Sequence, residues 1–213
     1  MIARNKRIIS RLSRYKSTLT RLKSLGFVRI ISEYLADVVG VTSSQVRKDF
    51  SLFGITGNKR GGYNIDVLLE KLGSILGKDS VQLVVLAGAG NLGRALLNYR
   101  GFEQEGIRIA AAFDIDPAKL NPCAPVPVLP MAGLAEWVCE HDIHVGIIAV
   151  PHMVAQEVLA TMITAGIRGV LNFAPLQLRA PDDCIVNNVN VELELENIIY
   201  FVNAARRASE ASP

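Results

Sequence analysis

The sequence predicts an α/β protein of two modules, a helical N-terminal head followed by a mostly parallel sheet. Three observations carry that reading. Apolar residues recur at helical spacing along residues 8–50. Beyond residue 80, continuous apolar runs of strand length alternate with amphipathic stretches. Charge is partitioned as well: residues 1–80 hold fifteen Lys and Arg against six Asp and Glu, a net +9, whereas residues 81–213 hold eight against fourteen, a net −6. The overall charge of +3 thus conceals modules suited to different partners.

In the first element, Ile8, Leu12, Tyr15, Leu19 and Leu22 fall on one helix face, and Arg11, Arg14, Lys16, Arg21 and Lys23 fall on the others. Gly26 ends it. A second helix is expected to start with Ser32 as its N-cap and to stop at Gly40. A third opens at Thr42. There Thr42-Ser43-Ser44-Gln45 reads as a capping box, with Gln45 reaching back to the cap. Two short helices joined at a glycine form a helix-turn-helix. Val46 and Phe50 should face inward, leaving Ser43, Ser44, Gln45, Arg47 and Lys48 for base edges and phosphates of double-stranded DNA. Asp49 is the exception on this surface and is expected to orient a neighbouring cation. Gly57, Gly61 and Gly62 then flank Asn58-Lys59-Arg60. This is turn chemistry for a basic hairpin, the wing of a winged helix, with Lys59 and Arg60 at its tip.

The second module opens with the run VQLVVLA at residues 81–87, followed at once by GAGNLGRAL. Gly88, Gly90 and Gly93 satisfy G-x-G-x-x-G between a strand and a helix, so Gly88, Ala89, Gly90, Asn91, Leu92 and Gly93 are the candidate pyrophosphate loop. The next strand, IRIAAAFD, ends in Asp114, 21 residues past Gly93, where a carboxylate can accept the ribose hydroxyls of NAD and disfavour a 2′-phosphate. Strands at residues 144–150 and 169–174, with a helix between them, complete the alternation. Because ligands bind beyond strand C-termini in such sheets, Val150, Pro151, Asn172 and Phe173 are placed at the nicotinamide end. The whole is a Rossmann-type, doubly wound parallel sheet behind a winged helix. The expected segments are 1–80 for DNA, 81–190 for NAD(H) and 191–213 for a C-terminal helix and tail. In that last helix Leu195, Ile198, Ile199 and Val202 form an apolar stripe, to pack on its own sheet or on a partner subunit.

Composition excludes several classes. Half the residues are apolar and 20% are charged, which rules out global disorder and collagen-like repeats. Three scattered cysteines make neither a disulfide framework nor a metal site. No apolar run is long enough to span a membrane, and the basic N-terminus lacks the pattern of a secretory signal, so a reduced, cytoplasmic setting without membrane or metal is expected.

Together SSQVRKDFSLFG, GNKRGGYNI, GAGNLGRALLNY, AAFDIDPAK, VPHMVAQEV and AGIRGVLNFAPLQL resemble the Rex family of redox-sensing transcriptional repressors. The resemblance covers almost the whole chain. It implies a homodimer whose C-terminal helix is domain-swapped between the partner's two domains, and a pair of winged helices reading a palindromic operator. It also implies that NADH in the Rossmann domain releases the DNA, while NAD⁺ competes and permits binding. Three positions depart from the family pattern, two of them as a pair. Ser17 stands where the family has an Arg, with Lys16 and Arg14 nearby as substitutes, and Asn190 stands where it has an Asp. A charge-assisted pair there becomes a neutral one, which predicts a shifted or weakened NADH response. His152, where the family has a small residue, is a spacer or rim residue, or else an acid–base group beside the nicotinamide. The competing readings are an NAD-dependent or CoA-binding Rossmann enzyme with an appended basic domain, and a helix-turn-helix protein using the fold only to dimerise. The enzyme reading lacks a substrate domain and an acid–base pair. The scaffold reading needs neither the glycines nor Asp114.

Overall fold

The computed structural model describes residues 2–58, 61–77 and 80–210, with side chains described from residue 7 to residue 207. It divides into two compact units, Met1–Val81 and Gln82–Pro213.

The first unit is built from α1 (Ile2–Ser24), β1 (Arg29–Ile30), α2 (Ser32–Val39), α3 (Ser43–Leu52), β2 (Tyr63–Asn64) and α4 (Ile65–Ile75). The expected face of α1 is the buried one. Leu12, Tyr15 and Leu19 are fully buried, Leu22 nearly so, and Ile8 packs at the margin. Each large apolar side chain taken from water in this way stabilises the unit by about 1.5–3 kcal/mol. Val46 and Phe50 of α3 enter the same core, where Phe50 meets Tyr15 and Tyr63 edge-on. Gly40 closes α2 in the left-handed region at φ 73°, which only glycine adopts without strain and which lets the chain turn at once into α3.

Two local expectations are corrected here. Ser32 does not cap α2. The cap is Ile31, which has no side-chain acceptor, and Ser32 is the first helical residue, buried with its hydroxyl turned to Glu33 and Arg47. The capping box at α3 is half made: Thr42 Oγ1 accepts from the Gln45 amide at 3.2 Å, but the Gln45 side chain donates to Asp49 at 2.7 Å and does not reach back to the cap. The hairpin is present as antiparallel bridges, Asn58 with Gly62 and β1 with β2. α4, capped by Asn64, is an addition to the helices expected from spacing.

The second unit carries β3 (Gln82–Ala87), α5 (Asn91–Leu97), α6 (Gly101–Gln104), β4 (Ile107–Asp114), β5 (Val128–Pro130), α7 (Leu134–Glu140), β6 (Val145–Ile148), α8 (His152–Thr164), β7 (Gly169–Asn172), β8 (Ile185–Asn188) and α9 (Val191–Glu210). All five strand pairings are parallel, in the order β5-β4-β3-β6-β7-β8. Counted within this unit, that order is 3-2-1-4-5-6, the doubly wound arrangement of dinucleotide-binding folds. β3 lies at the centre. The chain leaves it toward β4 on one side and returns through β6 on the other, which opens a crevice beyond the C-terminal ends of these three strands. The run VLA at the end of β3 is buried on both faces because apolar layers cover the sheet on either side, one including Val138, Leu159 and Met162, the other including Leu96, Leu97 and Phe102.

α9 does not pack on its own sheet. Every described residue from 191 to 207 is exposed, including Leu195, Ile198, Ile199 and Val202, and Tyr200 and Phe201 are exposed beside them.

Candidate nucleotide crevice and DNA-reading surface

The glycine loop follows from what a Cβ would meet. Gly88 sits at φ 98°, and a Cβ there would come within 2.5 Å of the Ala149 carbonyl oxygen. At Gly93 a Cβ would stand 1.9 Å from the Gly88 carbonyl oxygen, so the start of α5 could not close on the strand. Gly90 differs: its Cβ would meet nothing within 4 Å, and its backbone is extended, at φ −70° and ψ −164°. The first and third glycines are therefore required by the protein's own packing. The second faces open space, where only a ligand would be obstructed.

That space is a cavity of about 710 Å³ lined by Gly88, Gly90, Asp114, Ile115, Val150 and Pro151, among others, with Val154 and Val158 of α8 as an apolar wall. Ile115 is 79% exposed. An exposed apolar side chain facing an apolar wall suits a flat aromatic group such as an adenine. Asp114 is nearly buried. One carboxylate oxygen accepts from the Ala89 amide at 2.8 Å, the other from the Asp116 amide at 2.9 Å, and Lys119 Nζ lies 3.4 Å from both. Burial pushes this carboxyl up, but the two amides and the Lys119 ammonium outweigh it and hold it below its ordinary value. Asp114 therefore stays anionic and ties the end of β4 to the glycine loop. A second, more polar cavity of about 480 Å³ lies beyond it, with Arg94, Asn98 and Lys119 in its wall.

Of the remaining crevice candidates, Ala89 lines this second cavity and Asn91 and Leu92 stand exposed at the start of α5, while Asn172 and Phe173 lie elsewhere. Asn172 is fully buried and its amide is consumed locally: the NH₂ donates to the carbonyls of Ala174 and Leu176 and to Asn188, and the oxygen accepts from the Ala174 amide. Phe173 packs into the apolar layer with Leu171 and Ala149. Neither lines the crevice; Asn172 instead joins β7 to β8 and shapes the loop that follows. His152 is the exposed first residue of α8 and is not in the cavity wall. His141 stacks on Trp137, and His144 pairs with Asp142 at 3.2 Å. Among the described residues no group of three His, Cys, Asp or Glu is gathered to hold a metal. No described helix is long and apolar enough to cross a membrane.

On α3, Ser44, Arg47 and Lys48 are exposed and Ser43 and Gln45 are half-buried. Arg47 donates to Ser32 Oγ and Glu33 Oε1, both at 3.0 Å. The Glu33 backbone amide comes first among the donors that hold the Glu33 carboxyl below its ordinary range, with Ser32 and Arg47 adding to it. The Asp49 side chain is fully buried. Its carboxylate takes a two-pronged contact from Arg11 of α1 at 2.6 and 2.7 Å, the Tyr15 hydroxyl at 3.0 Å and the Gln45 amide. Burial acts against its charge, but Arg11, Gln45 and Tyr15 together hold it below its ordinary value. Tyr15 is pushed up to about 12 by burial and by the Asp49 acceptor. The expected orienting role of Asp49 is thus met by an arginine from another helix and by a residue of the reading surface itself. Sequence patterning offered a signal for this pairing only in the acidic residue standing in a basic stretch. Lys59 and Arg60 lie outside the described residues. Ser17 is exposed on α1, and Asn190 caps α9, its Oδ1 accepting from the Leu193 amide at 3.0 Å.

Comparison with known proteins adds the following. Residues 6–51 match the family described as "Putative DNA-binding protein N-terminus", and residues 79–176 match "CoA binding domain". A redox-sensing transcriptional repressor Rex from Carboxydothermus hydrogenoformans is 43% identical over 195 residues, 91% of this chain and 94% of that relative. Among solved structures, RSP in complex with beta-NAD+ and operator DNA aligns at TM-score 0.87 and 34% identity, over 97% of each chain. RSP in complex with beta-NADH aligns at TM-score 0.83 and 34% identity, over 96% of this chain and 97% of that one. The order of motifs, the doubly wound sheet behind a winged helix and this full-length similarity lead to one conclusion: the chain belongs to the Rex family of redox-sensing transcriptional repressors, which are regulators and not enzymes.

Proposed function

We propose that this protein is a cytoplasmic repressor that binds a palindromic operator as a homodimer and lets go when NADH fills its crevice. NAD⁺ competes for the same crevice and permits DNA binding. The observation that carries this reading is the open space at Gly90 beside an anionic Asp114, in a chain similar along its length to a repressor captured both with NAD⁺ and operator DNA and with NADH. Gly88, Ala89, Gly90, Asn91, Leu92 and Gly93 hold the pyrophosphate, Asp114 the ribose, and Val150 and Pro151 the wall of the crevice. Asn172 and Phe173 act behind that wall by shaping the loop. Ser43, Ser44, Gln45, Arg47 and Lys48 enter the major groove, with Lys59 and Arg60 from the wing on phosphates or in the minor groove.

The apolar side chains of α9 dock on a second copy, as a domain-swapped helix would. Eight large apolar residues of this helix, from Val191 to Val202, are at least half exposed, which no isolated water-facing helix needs. NADH must favour one arrangement of the dimer over the other, at about 1.4 kcal/mol for each tenfold change in DNA affinity. With Ser17 and Asn190 in place of a charged pair, that bias is smaller, and NADH shifts operator binding less steeply than in a relative that keeps the pair. The test is a gel shift on a palindromic operator at stated salt, with NADH and NAD⁺ titrated separately. Release by NADH, with rescue by NAD⁺, is expected. Equal operator affinity for the empty and the NADH-saturated protein would sink the proposal.

A further inference from the structure

Asp49 is fully buried, yet it touches a residue of the reading surface. An ionised carboxylate can only accept hydrogen bonds. Gln45 must therefore present its NH₂ group to Asp49 Oδ1, as it does at 2.7 Å. Turning the amide over would set the Gln45 oxygen against the carboxylate oxygen. Asp49 has no room to yield, because Arg11 grips both its oxygens, at 2.6 and 2.7 Å, and the Tyr15 hydroxyl adds a contact at 3.0 Å. The same donors keep the carboxyl ionised. What Gln45 offers outward is thus defined: its carbonyl oxygen, with the second amide proton beside it.

The consequence is readable in base chemistry. In the major groove adenine shows an N6 donor next to an N7 acceptor, which suits an amide oxygen and its neighbouring N–H together. Cytosine shows an N4 donor, which suits the oxygen alone. Guanine shows two acceptors and thymine one, which could take only the second amide proton and would leave the Gln45 oxygen unpaired. We propose that Asp49 sets the polarity with which Gln45 meets DNA, so that Gln45 reads an A·T pair, through the adenine edge that takes both its oxygen and its second amide proton, in preference to a G·C pair. Asp49 is thereby a positioning residue that determines specificity without touching DNA. This rests on the proposal that α3 enters the major groove.

The experiment uses the full chain with NAD⁺ and a duplex selected by the wild-type protein from a random pool. Each base pair of one half-site is replaced in turn by the other three, and affinities are measured for wild type, Gln45→Ala and Asp49→Asn at several salt concentrations. One position is expected to lose its preference in Gln45→Ala. There the wild type should favour an A·T pair, in one of its two orientations, over either G·C pair by at least about tenfold. In Asp49→Asn, whose side-chain amide can donate as well as accept, that preference should narrow to about threefold or less, with an unchanged salt slope. A preference for a G·C pair, in either orientation, at the Gln45-dependent position overturns the inference. So does the lack of any such position, or a folded Asp49→Asn that discriminates as the wild type does. If Asp49→Asn fails to fold by circular dichroism, the wild-type preference at the Gln45-dependent position decides alone. A wild type that selects no duplex from the pool would instead defeat the DNA-reading role of α3 itself.

Discussion

Gly90→Ala separates ligand binding from folding more cleanly than any other change in the crevice. The new methyl group meets no protein atom within 4 Å, and φ −70° with ψ −164° is ordinary backbone for alanine. Alanine is a poorer N-cap than glycine but restricts the unfolded chain, and these opposing effects leave the stability within about 1 kcal/mol of wild type. The ligand meets a different surface. A pyrophosphate oxygen hydrogen-bonded to loop amides comes within about 3 Å of backbone nitrogen, and a methyl on the adjacent Cα forces it back by roughly 1 Å. One charge-assisted hydrogen bond is lost or badly stretched, a loss of about 1.5–3 kcal/mol, or roughly a 10- to 150-fold weaker NADH complex. NADH titration by calorimetry reads the affinity, and thermal melting of the same sample reads the fold. Wild-type NADH affinity in a folded Gly90→Ala protein would refute the placement of the pyrophosphate. Release of operator DNA should fail in step with NADH binding.

Gly93→Ala should behave in the opposite way, because its methyl lands 1.9 Å from the Gly88 carbonyl oxygen; a loss of about 1–3 kcal/mol in the melting of the nucleotide unit, with or without ligand, is expected. Asp114→Ala leaves the Ala89 and Asp116 amides without their acceptor and should cost about 1–3 kcal/mol in chemical denaturation, in addition to weakening NADH. The Asp49 cluster sets two pH limits on the first unit. Tyr15 has its pKa raised from 10.0 to about 12, so its contribution is whole below pH 10 and disappears as pH rises through about 12. Asp49 is held below its ordinary 3.8, so its contribution is whole above that value and disappears as pH falls through the lowered one. Denaturation monitored by tyrosine absorbance and circular dichroism should show both limbs in the wild type and a weaker alkaline limb in Tyr15→Phe. Finally, Ile198→Asp combined with Phe201→Asp places charges on the exposed face of α9 and should turn the dimer into a monomer in sedimentation, with loss of operator binding but retention of NADH binding. A variant that still sediments as a dimer would remove α9 from the interface.

The elements legible in the sequence are those whose signal is local. β3 and β4 are long, continuous apolar runs, α1 keeps a strict face, and the glycine loop is specified by residue type because no side chain fits at Gly88 or Gly93. β5 and β8 were not legible. Val128–Pro130 is short and ends in proline, and Ile185–Asn188 ends in two asparagines. Each is a strand because an outer edge of the sheet stood open to pair with it, not because of its own propensity. The start of α2 misled for a similar reason: Ser32 has the composition of a cap, but its hydroxyl is more useful beside Arg47 than over the helix end.

The candidate site divides along the same line. Sequence alone determined which residues bear the chemistry: the glycines, the acidic end of β4, and the polar and basic residues of α3. The physical reason is that conformational freedom at glycine, ionisation and hydrogen-bonding capacity belong to residues taken one at a time. Only the tertiary structure decided what each is free to do. It buries Asn172 in the joint between β7 and β8, binds Asp114 to the glycine loop, leaves Gly90 open, and brings Arg11 across 38 positions of chain to hold Asp49 and through it Gln45. Those pairings are set by which surfaces the packing of helices and strands brings within about 3 Å, and no pattern along the chain encodes that distance.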